Sequence, residues 1–98
     1  MMSGYVNVKC VILCSAFSGE RVFQLDTASG EEFVGVAPLG FCAKKDGTPL
    51  SRGEPAPSQS LDGVVRARII RNGGNKARVA FPDGEDAEVS LDLLAERR

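Results

Sequence analysis

The side chains with the clearest chemical potential in this chain are five cations within residues 61–94. They are Arg66, Arg68, Arg71, Lys76 and Arg78. Because alternate residues of a strand share a face, we expect a basic surface on one hairpin, with Arg71 at its tip. Such a surface can contact phosphate groups, and the turn at residues 72–75 (NGGN) would add backbone donors. The alternative is a solvated face that Asp86 and Glu88 partly neutralise.

The three cysteines are the second group of candidates. Cys10 and Cys14 would lie about 13 Å apart on a strand, which is too far for a shared metal ion or a disulfide. Cys42 lies beside Lys44 and Lys45, which could stabilise a reactive thiolate; the alternative is a buried thiol. An odd number of cysteines favours a reducing, cytoplasmic location.

Catalysis and cofactor binding have little support in the sequence. The chain contains no His, which removes the commonest general base and metal ligand. The acidic turns near Asp26 and Asp83 lack the spacing of a calcium loop, and the glycine pair at residues 73–74 lacks the pattern of a phosphate loop. We therefore predict a protein that is not an enzyme and that has no cofactor and no metal.

The apolar residues do not indicate a membrane protein. The run at residues 10–17 resembles the core of a signal peptide. Because Asn7 and Lys9 lie just before it and limit the apolar stretch, it fits a buried strand. No run approaches the ~20 apolar residues of a spanning helix. The net charge of −1 gives no general attraction to nucleic acid or to anionic lipid.

The second half of the chain predicts a three-stranded meander. Apolar residues alternate with polar ones over residues 64–70, 76–81 and 87–91. Pro82, Asp83 and Gly84 suit a three-residue hairpin loop. This loop places Phe81 opposite Glu85, Val79 opposite Ala87 and Arg78 opposite Glu88, and a one-residue shift would turn charged residues inward.

The first half shows a similar order of strands at residues 5–14, 21–25 and 32–37, followed by an apolar corner at 39–42. The segments RVFQLDTASGEEFVGVAPLGF and ARVAFPDGEDAEVSLDLLAE suggest a weak repeat of about 35 residues. Residues 43–60 are rich in Pro, Gly and Ser and predict an exposed loop or linker.

The predicted fold is all-β, with about six antiparallel strands in two three-stranded meanders. These form either one small barrel or a pair of packed half-barrels. We expect one compact domain over residues 1–98, with units at 5–42 and 61–95.

A short-turned meander that ends in a strand and an apolar turn resembles the small SH3-like barrels, including Tudor and KOW-type modules. The resemblance covers residues 63–94 and, if the repeat is real, residues 5–41, and it rests on strand spacing. It implies binding of peptides, modified side chains or RNA. A Tudor-type cage needs several aromatic rings, and the second half offers only Phe81, which we place in the core.

The sequence therefore predicts a non-catalytic binding or adaptor module. It would recognise a protein or peptide partner through a sheet edge and the 43–60 loop, and the same edge could pair two copies into a homodimer. The alternative is an RNA-binding barrel that uses the five cations. A third hypothesis is a thiol or metal protein that uses Cys42.

Overall fold

The computed structural model of this chain describes residues 4–95. It contains seven β-strands and two 3₁₀ turns. The outermost residues of the predicted domain, 1–3 and 96–98, lie outside the described residues. The strands are β1 (Tyr5–Leu13), β2 (Glu20–Asp26), β3 (Glu32–Pro38), β4 (Cys42–Lys44), β5 (Ser60–Gly73), β6 (Lys76–Ala80) and β7 (Asp86–Ser90), and the 3₁₀ turns are Leu39–Phe41 and Leu91–Leu93. The prediction of an all-β fold with six antiparallel strands is confirmed, and the structure adds the short β4.

The strands form one curled, half-barrel sheet in the order β3-β2-β1-β5-β6-β7. Each half of the chain supplies one meander, and the antiparallel ladder between β1 and β5 joins them. The short β4 pairs with β5 on the edge that β6 also uses, because β5 is long enough for two partners.

The sheet is symmetric about one residue pair at its centre. Val8 of β1 pairs with Val65 of β5. Cys42, which follows the first 3₁₀ turn, pairs with Val65, and Leu94, which follows the second 3₁₀ turn, pairs with Val8. Each half of the chain therefore supplies a short strand segment to the central strand of the other half.

The core follows the alternation of the strands. Its largest fully buried side chains are Phe23, Ile12, Val8, Val65, Val79 and Val89. Phe23, Phe33 and Phe81 form an aromatic cluster, with the Phe23 and Phe81 ring centroids 4.9 Å apart. Phe81 is 4% exposed, so its predicted place in the core is confirmed.

The register of the β6–β7 hairpin is as the sequence predicted. Val79 pairs with Ala87 and Arg78 with Glu88. The Phe81 amide donates to the Glu85 carbonyl at 2.8 Å, and Gly84 closes the loop at a φ of 91°. The Arg78 guanidinium forms its ion pair diagonally with Asp86, at 2.6 Å.

The β5–β6 hairpin differs from the prediction at its end. A bulge falls between Ile69 and Arg71, and β5 then continues to Gly73. The tip is formed by Gly74, at a φ of 63°, and Asn75. Arg71 therefore lies within the ladder, opposite Arg78, and not at the tip, because the bulge absorbs one residue and shifts the turn along the chain.

The segment 43–60 is more ordered than the exposed loop that its composition predicts. Its first two residues belong to β4, and Ala43 forms a further bridge with Pro49. Leu50 is 8% exposed and Pro55 is buried. The segment packs because Arg21, 2% exposed on the inward face of β2, donates to the carbonyls of Ser51, Arg52 and Glu54.

Candidate binding clefts

The structure divides the five predicted cations into two groups. Arg66 and Arg68 lie on the outer face of β5, next to β1, where Arg68 pairs with Tyr5 and Arg66 with Asn7. The other three, Arg71, Lys76 and Arg78, lie beyond the bulge at the far end of the β5–β6 hairpin. The predicted single basic surface is therefore two separate sites.

The hairpin group surrounds a shallow depression of about 130 Å³. Arg71, Lys76 and Arg78 line it, and Glu88 lies among them. Arg78 is also paired with Asp86, in a contact whose side chains are 36% and 47% exposed. Two carboxylates thus offset much of the positive charge here, as the solvated alternative anticipates, and an exposed pair of this kind adds little stability.

Arg66 and Arg68 line a larger cleft, which we call the β5 cleft. It encloses about 450 Å³. Its lining residues are Tyr5, Pro38, Phe41, Arg66, Ala67, Arg68, Ala80, Phe81, Pro82 and Gly84. A volume of this size is within the range of pockets that bind small molecules or peptide side chains.

The floor of the β5 cleft is an interruption in the pairing of β5. The ladder with β4 ends at Val65, and the ladder with β6 begins at Arg68. On this edge no strand within residues 4–95 pairs with Arg66 or Ala67. The chain leaves the edge at Phe41 on one side and at Pro82 on the other, which opens the gap between them.

The walls of the β5 cleft are aromatic and apolar. Phe41 is 38% exposed, and Tyr5 is 42% exposed. The Arg66 guanidinium lies 5.2 Å from the centre of the Tyr5 ring, a cation–π contact that holds the charge at the rim. A second depression of about 370 Å³ shares Tyr5, Phe41 and Arg66 and extends the same surface towards Val64.

Charge in the β5 cleft has one sign. Its lining contains two arginines and no Asp or Glu among the described residues. The adjoining depression likewise has Arg66 as its only charged lining residue in the described part of the chain. Since the whole chain carries a net charge of −1, this cleft is a local concentration of positive charge and favours an anionic ligand.

A second cleft occupies the symmetry-related position, and we call it the β1 cleft. On that edge of β1, Leu94 pairs at Val8 and β2 begins its pairing at Val11, so Lys9 and Cys10 have no strand partner there among the described residues. The cleft encloses about 430 Å³, and its lining is Lys9, Cys10, Val11, Gln24, Leu25, Asp26, Glu32 and Leu93.

The two clefts have the same construction and different charge. Lys9 follows Val8 as Arg66 follows Val65, and Leu93 precedes Leu94 as Phe41 precedes Cys42. The β1 cleft, however, carries Asp26 and Glu32 against the single Lys9. Only the β5 cleft is therefore suited to an anion.

The positions of Cys10 and Cys42 disfavour a reactive thiol. Burial raises the pKa of Cys10 to about 12, and the neighbouring Cys42 adds to the effect. Burial raises the pKa of Cys42 to about 11, although the nearby Arg21 guanidinium acts in the opposite direction. Cys42 is 5% exposed. This placement argues against the hypothesis of a reactive Cys42, because the residue faces the core and Lys44 instead pairs with Glu54 at 3.1 Å.

The sequence did not indicate two groups of residues that line the β5 cleft. Tyr5 and Phe41 lie far from the cations in the chain and meet them only through the non-local pairings of β1 and β4 with β5. The only local signal for Tyr5 in the sequence is its position on the polar face of β1. Pro82, which the sequence assigns to a turn, also lines the cleft, together with Pro38.

Within residues 4–95, no group of three or more Cys, Asp or Glu side chains is placed to hold a metal ion. Over the same range, no helix is long and apolar enough to cross a membrane.

The chain was also compared with known proteins. No family model, no curated protein and no solved structure matches it. The resemblance to SH3-like barrels therefore stays a prediction, and functional inference rests on the two clefts themselves.

Proposed function

We propose that the protein is a non-catalytic, cytoplasmic binding module that takes a segment of a polypeptide into the β5 cleft. The observation that carries this proposal is the break in the pairing of β5 between the β4 and β6 ladders, where the Arg66 carbonyl lies at the floor of an apolar cleft. A buried strand edge without a partner is a hydrogen-bonding site, and polypeptides are the ligands that commonly satisfy such an edge.

The direction of the backbone supports the proposal. The Ile69 amide donates to the Gly4 carbonyl at 2.6 Å, on the β1 side of β5. Backbone groups of successive residues point to opposite edges of a strand, so the amide and carbonyl of Arg66 point away from β1. The amide meets the Phe41 carbonyl, because Cys42 and Val65 form a non-hydrogen-bonded pair. The Arg66 carbonyl therefore faces the cleft, where a backbone amide of a ligand can reach it.

The walls support a polypeptide as the ligand. Phe41, Pro38 and Pro82 give an apolar surface on both sides of the unpaired backbone. Exposed aromatic residues are enriched at the centres of protein interfaces, and contiguous apolar surface on a small protein marks a binding site. Residues 45–60 do not line this cleft, and Leu50 and Pro55 of that segment are buried.

The cytoplasmic location is supported by the cysteines. Cys10, Cys14 and Cys42 are all free thiols. Free thiols persist in a reducing compartment.

RNA binding is the second candidate function, favoured by the cations on the outer face of β5 and β6. Arg66, Arg68 and Arg71 lie along one strand of that face. Against it, Asp86 and Glu88 lie beside the hairpin group. This function predicts an affinity that falls steeply with salt.

Selection from a pool of randomised synthetic peptides with free termini tests the proposal. We expect the protein to retain a subset of peptides, and the Phe41→Ser variant to bind them at least about tenfold more weakly, since Phe41 forms one wall. Phe17→Ser is the matched control, because Phe17 is 69% exposed and lies outside the β5 cleft.

Three results would contradict the proposal. They are retention of no peptide, equal loss of binding in both variants, and salt-dependent binding of an octauridylate RNA in place of peptides. The last result would establish the second candidate function.

A further inference from the structure

The floor of the β5 cleft presents a backbone hydrogen-bond acceptor, the Arg66 carbonyl. The Arg66 amide is already bonded to the Phe41 carbonyl, so the carbonyl is the group that remains open on this edge. If the β5–β6 ladder continued past Arg68 in the same register, position 82 would lie opposite Arg66. That position holds Pro82, which has no N–H to donate. Within residues 4–95, neither ladder therefore supplies a donor to this carbonyl.

A single open carbonyl suits a side chain better than an added strand. A hydrogen-bonded strand residue exchanges both its amide and its carbonyl with its partner, and Arg66 can offer only its carbonyl. A strand in a sheet is usually at least about three residues long, and the chain at Phe41 and at Pro82 closes the edge on both sides. A side chain that enters the cleft end-on needs only one donor near its tip.

The lining of the β5 cleft selects among the side chains that can donate. Lys and Arg would be repelled, because the charged lining residues described here are Arg66 and Arg68. Ser, Asn and Gln would set polar atoms against the apolar walls of Phe41, Pro38 and Pro82. Tyr and Trp combine a donor with an aromatic body. The indole N–H is a donor only, whereas the Tyr hydroxyl also has lone pairs that a carbonyl cannot satisfy.

We infer that the β5 cleft binds a tryptophan side chain of the polypeptide partner. The inference rests on the proposed function and names the residue that the cleft recognises. The indole N–H donates to the Arg66 carbonyl, and the ring lies between Phe41 on one side and Pro38 and Pro82 on the other. The cleft, of about 450 Å³, has room for this side chain, the largest of the natural ones.

The cations at the rim favour the electron-rich face of an aromatic ring. The Arg66 guanidinium already lies 5.2 Å from the centre of the Tyr5 ring. Arg68 lines the same cleft, and no described side chain forms an ion pair with it. Trp is the best partner for such a cation–π contact. The β1 cleft offers a contrast, because its described lining contains no aromatic ring and includes Asp26 and Glu32.

Four peptide pools provide the test. Each contains acetylated heptapeptide amides with one fixed central residue, either Trp, Tyr, Phe or Leu, and with random residues other than Trp elsewhere. The intact protein is incubated with each pool, and retained peptides are identified by mass spectrometry. We expect the Trp pool to be retained most strongly, and a retained peptide to bind at least about tenfold more weakly when its Trp is replaced by Phe. The chain contains no Trp, so the emission of the peptide reports binding directly and should shift to the blue.

A methylated peptide tests the hydrogen bond to the Arg66 carbonyl. Replacement of Trp by 1-methyltryptophan keeps the ring and removes the N–H, so we expect binding about tenfold weaker. The carbonyl carbon shift of Arg66 should change with the Trp peptide and stay near its free value with the methylated one. Arg68→Gln should weaken the Trp peptide about threefold, and Arg71→Gln, outside the cleft, should leave it unchanged.

Each alternative result overturns the inference in an identifiable way. Equal retention of the four pools, with shift changes in the β5 cleft, removes the Trp inference and leaves the proposed function standing. Undiminished binding of the methylated peptide overturns the role of the Arg66 carbonyl, and equal losses in both arginine variants assign the binding to general charge. Equal affinity for N-acetyltryptophanamide alone assigns the cleft to a small aromatic ligand in place of a polypeptide. No retained peptide from any pool removes both the inference and the proposed function.

Discussion

Arg21 is the residue on which the packing of the 43–60 segment depends. Its guanidinium donates five hydrogen bonds, all to backbone carbonyls, at 2.6–3.3 Å: two to Ser18 and Glu20 near its own strand and three to Ser51, Arg52 and Glu54. A planar fork with five donors is the one side chain that can satisfy such a ring. Backbone carbonyl dipoles thus compensate this buried charge.

Replacement of Arg21 by Met should destabilise the protein by about 3 kcal/mol, because several carbonyls lose their donors while the segment loses its anchor. Arg21→Lys should recover only part of this, since an ammonium group has three donors and no planar fork. Urea unfolding measures both. Arg52→Ala is the control, because it removes an exposed side chain and keeps the carbonyl that Arg21 contacts; we expect a change within ~0.5 kcal/mol. An unfolding midpoint for Arg21→Met equal to that of the wild type would contradict the anchor.

Individual residues also show where sequence reasoning ends. The apparent repeat aligns Arg21 and Val22 with Arg78 and Val79. In the structure Arg21 faces the core, whereas Arg78 faces outward and Val79 is 0% exposed. The two segments are similar in sequence, but their aligned residues lie on opposite faces of the sheet, because a shift of one residue exchanges the faces of a strand.

At the scale of elements, local signals predicted the strands well. Period-two alternation and the loop of Pro82, Asp83 and Gly84 were sufficient for the β6–β7 register. The β5 cleft could not be predicted in this way. It depends on where β4 and β6 stop pairing along one strand, and β4 has three residues, too few to show any period.

The close approach of β4 to β5 requires Gly63. Gly63 pairs with Lys44 of β4 and with Cys10 of β1, so β5 is covered on both edges at this residue. An added Cβ would clash with the Ala43 carbonyl oxygen and would lie 2.5 Å from Ile12 Cδ1. The backbone of β4 or the core side chain would have to move.

We expect Gly63→Ala to destabilise the protein by about 2 kcal/mol, in the range of overpacked cores. The measurement is the free energy of unfolding in urea, together with amide exchange of residues 42–44, which should become faster as β4 moves away from β5. Gly19→Ala is the matched control, because no atom lies within 4 Å of the added Cβ and we expect little change. Wild-type stability and unchanged exchange in Gly63→Ala would show that β4 is not held by this contact.

At the scale of the whole molecule, the two halves of the chain are interlocked. Nine residue pairs join β1 to β5. In addition, β4 of the first half pairs with β5, and Leu94 of the second half pairs with β1. Each half alone would expose the face that carries Val8 or Val65, both 0% exposed in the intact chain. Burial of these faces is the main favourable term in folding, so neither half is expected to be stable by itself.

This arrangement predicts the behaviour of two fragments, residues 1–58 and 59–98. Each should be unfolded alone by circular dichroism and by amide shift dispersion, and an equimolar mixture should recover the spectrum of the intact chain. Cooperative unfolding of either fragment by itself would instead favour two packed half-barrels over one interlocked barrel. The same fragments test the cleft, because Pro38 and Phe41 come from the first and Arg66 and Arg68 from the second. A peptide retained by the intact protein should therefore bind the reconstituted mixture and neither fragment alone.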